Sequence, residues 1–406
     1  MPGSQLWLVI ARPDHLHTAL IAADALKHRF PGGCHLIREE SEWWQRASWQ
    51  QFRDRFASVH ALARLNTCRG LADLPRLYRD TAARQRALGA LPIDPQHDTL
   101  CVLAGALAIG NAAASAHRDV FKILRASQKS FNDLKRPIDR RHYRFTTSGW
   151  LQNRVVDPLN RVERTVNLKP RFNPGGDGVR IGRLQRDPEE IYDVIIVENE
   201  TGDVPRGQMS RVIGARPPRI AELSWLQAAA NRVEKQRVVF FGTPFILVKN
   251  LEPGVYLQSL QRCFDFLRLN YGDTCELIYR PHPAETTETS LLNLAGFRIE
   301  NDREAAELYF LRHFAAIEAV YSVSSSVSRV ALHNGLDAYA FWPCFPFSET
   351  AAHFFAKLMG DVPPEFLIRD LDQPPVKYAS TRANASGLTF GQALNRALDM
   401  RPILRR

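Results

Sequence analysis

Two short polar segments, Arg280-Pro281-His282-Pro283 and Ser324-Ser325-Ser326, carry side chains suited to binding an anion. Each follows an apolar, strand-like run, at 275–279 and 317–322 respectively. His282 and the arginine before it can neutralise a phosphate, and the two prolines restrict the backbone that presents the imidazole. Small hydroxyl residues at a helix start leave backbone N–H groups available to the same anion. Together the two segments predict a phosphate-binding site.

Each segment by itself also has a purely structural explanation. His282 could be a hydrogen-bonded residue of a turn, and serines are favoured N-cap residues of helices. Their joint occurrence at two strand ends of one predicted sheet favours the phosphate site, because ligands of α/β sheets bind where strands end.

A third polar segment, Glu198-Asn199-Glu200-Thr201-Gly202-Asp203, directly follows the apolar run at 192–197. A carboxylate at such a strand end could take the proton from an acceptor hydroxyl during group transfer. The alternative is a polar loop that only caps the strand. Between the two candidate bases, Glu200 and Glu198, the sequence leaves the choice open.

The elements that must position these segments alternate between strand and helix, which predicts an α/β fold with parallel sheets. The run at 140–186 is basic and rich in Asn, Pro and Gly, so it is predicted to be a long loop or β-rich excursion that covers a site. In the first half, strands are predicted at 6–10, 99–103 and 192–197, with helices at 15–29 and 112–127. In the second half, strands are predicted at 237–241, 275–279, 296–300, 317–322 and 338–341, with helices at 256–269, 303–314 and 328–334.

The chain of 406 residues is longer than the roughly 250–300 residues at which single cores stop growing, so two domains are expected. We place the division near 215–236, where Arg216-Pro217-Pro218 interrupts the pattern. The prediction is a GT-B architecture, in which two Rossmann-like, doubly wound domains face each other across a cleft. Residues 1–220 would form the acceptor-side domain and residues 221–406 the donor-binding domain.

Composition and charge restrict the class of protein. Apolar residues make up 45% of the chain and charged residues 24%, as in ordinary globular proteins, and no apolar run approaches the roughly 20 residues of a membrane span. No basic region precedes the apolar run at 6–10, so a secretory signal is not predicted and a cytoplasmic location is expected. The six cysteines are scattered without a C-x-x-C pair, which predicts free thiols.

The chain is basic, with a formal net charge of +10 and a pI of about 9.5. Part of this charge lies in the segment at 135–144, and such segments attract nucleic acid, anionic membranes or acidic substrates. No nucleic-acid-binding motif is present, so we expect an acidic substrate, or contact with the inner face of the cell membrane, and no nucleic acid.

The order of these motifs resembles that of the bacterial lipooligosaccharide sialyltransferases and their polysialyltransferase relatives, which transfer sialic acid from CMP-sialic acid. The resemblance covers most of the C-terminal half and includes the turn after the first strand, Ala11-Arg12-Pro13-Asp14-His15. Two departures occur: the family commonly has Gly-Gln-Pro-Leu where this chain has Gly242-Thr243-Pro244-Phe245, and two adjacent acids before glycine where it has Glu200-Thr201-Gly202. The matching segments of the C-terminal half are Gly242 to Phe245, Tyr279 to Glu285, Glu307, Ser324 to Ser326 and Gly335.

The resemblance implies a glycosyltransferase that uses a CMP-sugar and inverts the anomeric centre. His282 would contact the CMP phosphate and protonate the leaving group, and Ser325 and Ser326 would bind the same phosphate. Glu307 would hold the ribose hydroxyls, and the turn Gly242-Thr243-Pro244 would lie near the cytosine. Glu200 would be the general base, with Glu198 as the alternative. The remaining donor-site candidates are Arg280, Pro283 and Ser324.

No cofactor is expected, because enzymes of this type use histidine and serine where others use a metal. Asp370-Leu371-Asp372 matches a metal-binding D-x-D only superficially, since it lies late in the chain in a proline-flanked loop. The acceptor would be a bacterial surface glycan or glycolipid, of lipooligosaccharide or capsule type.

Three alternatives remain open. The donor could be CMP-linked Kdo or another nonulosonate. The enzyme could instead transfer a polyol phosphate from a CDP-linked donor, although such enzymes usually carry a second catalytic histidine beside Gly or Thr, and His15 lacks that context. The split acidic motif favours a third possibility, a non-catalytic protein that binds glycans or nucleotides.

Overall fold

The computed structural model forms two compact units, Met1–Pro218 with Ser386–Arg406 and Arg219–Ala385. Each unit is built on one sheet whose strands are all parallel. This confirms the predicted α/β class with two Rossmann-like units. The residues described below are 3–11, 13–40, 44, 48–63, 74–103, 107–127, 191–198, 211–226, 235–243, 251–282, 285, 291–302, 304–359, 362–378 and 387–404.

The first unit has a seven-stranded sheet in the order β3-β2-β1-β4-β5-β6-β7. Successive strands are added first on one side of β1 and then on the other, so the strand order reverses between β1 and β4. Ligands of doubly wound sheets bind at such a point. Strands β1, β4 and β6 are buried along their whole length, so they read as continuous apolar runs without alternation. The strands are β1 Leu6–Ile10, β2 Cys34–Glu39, β3 Ser58–Leu62, β4 Thr99–Val102, β5 Phe121–Ser127, β6 Val194–Glu198 and β7 Val212–Ala215.

The second unit has a five-stranded sheet in the order β10-β9-β8-β11-β12. Its winding reverses between β8 and β11, so the ligand crevice is expected at the carboxyl ends of these two strands. The strands are β8 Gln236–Phe241, β9 Cys275–Arg280, β10 Phe297–Ile299, β11 Ile317–Ser322 and β12 Ala338–Ala340.

Helices connect the strands in both units, and short 3₁₀ turns precede or follow several of them. No helix of the described residues combines the length and the apolar character that a membrane span requires. The helices are α1 Leu16–Leu26, α2 Leu74–Gly89, α3 Leu107–Ala116, α4 Pro253–Tyr271, α5 Ala306–His313, α6 Ser326–His333, α7 Glu349–Met359, α8 Phe390–Asp399 and α9 Arg401–Leu404. The 3₁₀ segments are Pro13–His15, Ser48–Arg55, Ile220–Glu222, Phe314–Ala316, Trp342–Cys344 and Pro364–Phe366.

The predicted helix at 112–127 is wrong. Helix α3 begins earlier and ends at Ala116, and the following residues turn back into strand β5. The residues from Phe121 to Ala126 are all buried, Lys122 and Arg125 included, and a short buried run of this kind has no periodicity that separates a central strand from a buried helix. The predicted excursion at 140–186 lies outside the described residues.

The cores of the two units differ in composition. The first is aliphatic, with strand residues such as Val9 and Ile195 packed against helix residues such as Leu88 and Ile109. The second is aromatic: the ring centroids of Phe240 and Phe264 are 5.0 Å apart, and those of Tyr321 and Tyr339 are 4.8 Å apart. Such ring pairs add about 0.5–1.5 kcal/mol each beyond their buried area. The described cysteines are free thiols, as predicted: Cys34, Cys101, Cys263, Cys275 and Cys344.

The C-terminal segment belongs to the first unit, whereas the sequence predicted one domain over 221–406. Thr389 and Gln392 form a capping box that starts α8, and one face of the helix is buried. Gly391 lies so close to α1 that an added Cβ would be 2.9 Å from Cβ of Ala25. The apolar residues of α8, spaced on one helical face, find their partner in α1 and strands β6 and β7.

We expect Leu394→Ala to lower the free energy of unfolding by about 2–5 kcal/mol, because Leu394 is fully buried on the face of α8 that packs on the first unit. Urea denaturation followed by circular dichroism measures the change. The exposed Arg396 on the same helix provides the control Arg396→Ala, for which a change within about 0.5 kcal/mol is expected. If the free energy of unfolding of Leu394→Ala changes as little as that of Arg396→Ala, this helix face contributes no packing energy.

Candidate functional site

The candidate site lies where three adjacent strands of the second unit end in one row. Phe241, the last residue of β8, is in register with Arg280 of β9 and with Ser322 of β11. The predicted segments at His282 and at the serines therefore begin at the same edge of the sheet, on either side of the end of β8. Two strand spacings, about 10 Å in all, separate β9 from β11, which a phosphate and two side chains can bridge.

Gly242 fixes the turn that carries His282. Its N–H donates to the Arg280 carbonyl at 2.8 Å, and an added Cβ would lie 2.9 Å from the backbone nitrogen of His282. The same Cβ would be 2.2 Å from Oε1 of Glu285. No side chain fits between these groups, so glycine is required here by close approach of two strand ends.

Glu285 closes the turn from the other side, a role that the sequence did not predict. Its N–H donates to the His282 carbonyl at 2.8 Å, and the hydroxyl of Tyr279 donates to its Oε2 at 2.5 Å. The turn is thus tied to strand β9 and to Gly242 at once. The spacing of Tyr279 and Glu285 across a Pro-His-Pro turn is the sequence signal that could have indicated this contact.

His282 is partly exposed in this turn. Partial burial disfavours the imidazolium, so the pKa of His282 is lowered from its ordinary value. The imidazole is therefore mainly neutral at neutral pH, and a bound phosphate would raise its pKa and favour proton uptake.

The serines of the β11–α6 connection are of two kinds. Some have hydroxyls that form hydrogen bonds within the fold, and others have hydroxyls without a partner among the described residues. Ser322 and Ser328 are committed to the fold, since their hydroxyls are 2.8 Å apart and Ser328 also donates to the Tyr339 carbonyl. Ser325 is the N-cap of α6 and accepts from the backbone N–H of Val327 at 3.3 Å.

The remaining two hydroxyls, of Ser324 and Ser326, have no hydrogen-bond partner among the described residues. Ser326 is the first residue of α6, so its N–H has no acceptor within the helix. These donors at a helix start are suited to an anion.

Two further predicted residues lie at this edge. Within the described part of the chain, the buried hydroxyl oxygen of Thr243 has no hydrogen-bond partner, while the Thr243 carbonyl accepts from Tyr256 at 3.5 Å. Glu307 lies in the first turn of α5, and α5 begins after the carboxyl end of β10. Pro244 and Pro283 lie outside the described residues.

Arg280 is not the free cation that the sequence predicted. Its side chain is buried, with Nη2 at 2.6 Å from Asp302 Oδ1 and Nη1 at 3.4 Å from Glu300 Oε2. The guanidinium carbon also lies 4.1 Å from the ring centroid of Tyr309. Arg280 therefore anchors the end of β9 to the loop after β10, and its charge is matched within the protein.

Burial works against the ionised forms of Asp302 and Glu300, but their arginine partners outweigh it and lower the pKa of both carboxyls. For Asp302 the partner is Arg280, and for Glu300 it is chiefly Arg298. Because these pKa values are lower in the folded protein, the stability that the pairs contribute is present above the ordinary carboxyl pKa. It is lost as the pH falls through the lowered values.

In the first unit, Glu198 is paired with Arg125 of the neighbouring strand. Both side chains are buried, and the contact is bidentate, with Arg125 Nη2 at 2.7 Å from Glu198 Oε2 and Nε bonded to Oε1. Burial raises the pKa of Glu198, which the charge of Arg125 opposes. Because both oxygens of Glu198 accept from Arg125 and the side chain is buried, Glu198 is not available to an acceptor hydroxyl. Glu200, which lies outside the described residues, stays the candidate base.

No gathering of three or more His, Cys, Asp or Glu side chains suited to a metal occurs among the described residues. The carboxylate of Asp370 accepts from the backbone N–H of Asp372 at 2.9 Å, which is a local turn contact.

No protein-family model matches the sequence, and no curated protein sequence matches it either. Among solved structures, the GT-B domain of a sialyltransferase from Photobacterium damselae matches with a TM-score of 0.44 and 12% identity, over 90% of this chain and 98% of that one. A UDP-N-acetylglucosamine 2-epimerase from Rickettsia bellii matches with a TM-score of 0.42 and 11% identity, over 99% and 95%. The wall teichoic acid polymerase TagF gives 0.42 and 11%, over 100% and 90%. Likeness at this level identifies neither a reaction nor a substrate.

We expect Arg280→Met to lower the free energy of unfolding by about 3 kcal/mol at neutral pH, because it removes the buried cation that Glu300 and Asp302 share. Urea denaturation measures the loss. Arg298→Met removes a more exposed partner of the same Glu300 and should cost less than about 1 kcal/mol. The difference between the variants should shrink as the pH falls below about 4, because the lowered pKa values of Asp302 and Glu300 are reached only there. A loss that is the same at neutral pH and at about pH 3 would contradict the ion-pair explanation.

Proposed function

We propose that this protein is a glycosyltransferase that uses a CMP-activated sugar. The observation that carries the proposal is that strands β9, β8 and β11 end in register, where the strand order of the second sheet reverses. His282 therefore lies on one side of Gly242 and the serines lie on the other. Neutral histidine, serine hydroxyls and a helix N-terminus are donors matched to a phosphate that carries little charge. The phosphate that links a sugar to CMP is of this kind.

The residues around the phosphate position suit the rest of the nucleotide. Glu307 offers a carboxylate to vicinal ribose hydroxyls, and Thr243 offers a buried hydroxyl for which the described residues supply no partner. The choice of cytosine and of a nonulosonate such as sialic acid rests on the resemblance in the order of the motifs. Arg280 takes no part in this donor site, because its charge is already matched.

The reaction is a single displacement. The oxygen of an acceptor hydroxyl attacks the anomeric carbon, the bond from that carbon to the phosphate oxygen breaks, and its electron pair leaves with CMP. Glu200 takes the proton of the hydroxyl, and His282 donates a hydrogen bond or proton to the departing phosphate. Attack from the side opposite to CMP inverts the anomeric centre.

The acceptor is proposed to be a bacterial surface glycan or glycolipid, reached at the inner face of the cell membrane. The net charge of +10 and the basic segment at 135–144 favour contact with anionic lipid or an acidic glycan. Donor profiling separates sugar transfer, in which the sugar moves without its phosphate, from transfer of a polyol phosphate. Binding of CMP without any turnover would instead favour the non-catalytic alternative.

We expect His282→Ala to weaken CMP binding at least about tenfold, because a charge-assisted hydrogen bond to the phosphate is lost. Isothermal titration calorimetry measures the affinity. His353, an exposed residue of α7 in the same unit, provides the control His353→Ala, which should bind CMP as the wild type does. Unchanged affinity in a folded His282→Ala protein would contradict the proposed donor site.

The same titrations should show a pH dependence that belongs to His282. The pKa of this residue is lowered in the free protein and is raised by the bound phosphate, so binding takes up a proton and strengthens as the pH falls toward 6. CMP itself titrates near pH 6, and His282→Ala therefore supplies the baseline. Wild-type and variant curves of equal slope would show that His282 does not contact the phosphate.

We expect Glu200→Gln to reduce sugar transfer at least about a hundredfold while CMP affinity stays within about twofold, because only proton removal from the acceptor is affected. Transfer from CMP-sialic acid to a fluorescent lactoside measures the activity. Asp203→Asn, in the same acidic segment, is the matched control and should remain active. Full activity of Glu200→Gln would exclude Glu200 as the base.

A further inference from the structure

Arg38 occupies the edge of the first sheet where ligands of such sheets bind. In the register of β1 and β2, Arg38 is opposite Ile10, the last residue of β1. Strand β1 borders the switch point of this sheet, between β1 and β4. Arg38 therefore lies near the carboxyl end of β2, one strand away from the predicted crevice of the first unit.

Two tryptophans hold the guanidinium of Arg38. Its central carbon lies 5.0 Å from the ring centroid of Trp44 and 5.0 Å from that of Trp49. The two indoles meet edge to face, with centroids 5.3 Å apart, and both are almost fully buried. The planar cation is thus fixed in position before any ligand arrives.

Arg38 is half-buried and, unlike the three buried arginines, has no carboxylate ion-pair partner among the described residues. Arg84 is paired with Glu39, Arg125 with Glu198 and Arg280 with Asp302. Among the described residues no carboxylate forms an ion pair with Arg38, and its Nε is buried without a hydrogen-bond partner. Burial lowers the pKa of Arg38, with exposed Glu40 acting weakly in the other direction.

A second donor in the same cluster is also unsatisfied. The indole Nε1 of Trp44 is buried and has no hydrogen-bond partner among the residues that the structure describes, and the Trp44 side chain is 3% exposed. Buried donors are normally paired, and what both Nε of Arg38 and Nε1 of Trp44 lack is an acceptor. The neighbouring Glu39 cannot supply it, since its carboxylate is bound by Arg84 at 2.6 Å.

We propose that Arg38, held by Trp44 and Trp49, binds an oxyanion of the acceptor glycan, either a sugar carboxylate or a phosphate. This inference rests on the proposed function, which assigns the acceptor to the first unit. A fixed guanidinium that has no ion-paired carboxylate among the described residues is suited to bidentate contact with such a group. It makes acidic glycans the preferred acceptor class.

The test compares two acidic probes, sialyllactose and lactose phosphate, with neutral lactose, by calorimetric titration of the full-length protein. We expect the wild type to bind at least one acidic probe about tenfold more tightly than lactose, and Arg38→Gln to lose this preference. The probe that is preferred identifies carboxylate or phosphate as the natural group. Arg29→Gln, which removes the same charge from an exposed pair with Asp399, should keep the preference.

Arg38→Lys guards against a folding artefact, because it keeps the charge but loses the planar fork. It should bind the acidic probes more weakly than the wild type and more tightly than Arg38→Gln. If the glutamine variant unfolds, a weakened preference in a folded lysine variant carries the test. A wild type that prefers neither acidic probe, or an Arg38 variant that keeps the full preference, would overturn the proposal.

CMP titrations of the same proteins separate this inference from the proposed function. Arg38→Gln should bind CMP with unchanged affinity, and His282→Ala should bind the preferred acidic probe with unchanged affinity. If CMP does not bind to the wild type while an acidic probe binds through Arg38, the donor assignment fails and the oxyanion site stands.

Discussion

The close approach of Gly242 to the backbone nitrogen of His282 is the constraint on which the candidate site depends. Parallel strands β8 and β9 stay in register to their last residues, so the two chains leave the sheet side by side with no room for a Cβ. The hydrogen bond from Tyr279 to Glu285 closes the other side of the turn. The position of the imidazole is therefore set by backbone packing, and the donor groups of the serines are placed by the same row of the sheet.

The buried arginines show how the protein divides cations between structure and ligand. Where a guanidinium joins two strands or loops, as Arg125 and Arg280 do, a carboxylate of the chain neutralises it. A buried charge without such a partner is costly, so its presence needs a compensating interaction. Arg38 is only half-buried, and two indoles rather than a paired carboxylate lie against its guanidinium. Cations that stabilise the fold and a cation that is available to a ligand can thus be distinguished by their partners.

The sequence predicted the α/β class, the strands of the second unit and the common edge for His282 and the serines, because buried parallel strands are continuous apolar runs that end at polar residues. It did not predict that Arg280 is neutralised, since Asp302 lies beyond another strand and only the register brings the two together. The buried pair of Glu198 and Arg125 was missed for the same reason. Short runs such as β5 were misassigned because their apolar residues carry no period.

The return of α8 to the first unit affects how the chain can fold as it is synthesised. The second unit, Arg219–Ala385, is continuous and leaves the ribosome complete. The first unit is discontinuous, and the surface of α1, β6 and β7 that α8 covers stays open until α8 is made. Nascent chains therefore expose apolar surface in the part of the first unit that precedes the second unit. Helix α8, translated after the second unit, completes the unit whose synthesis begins before it.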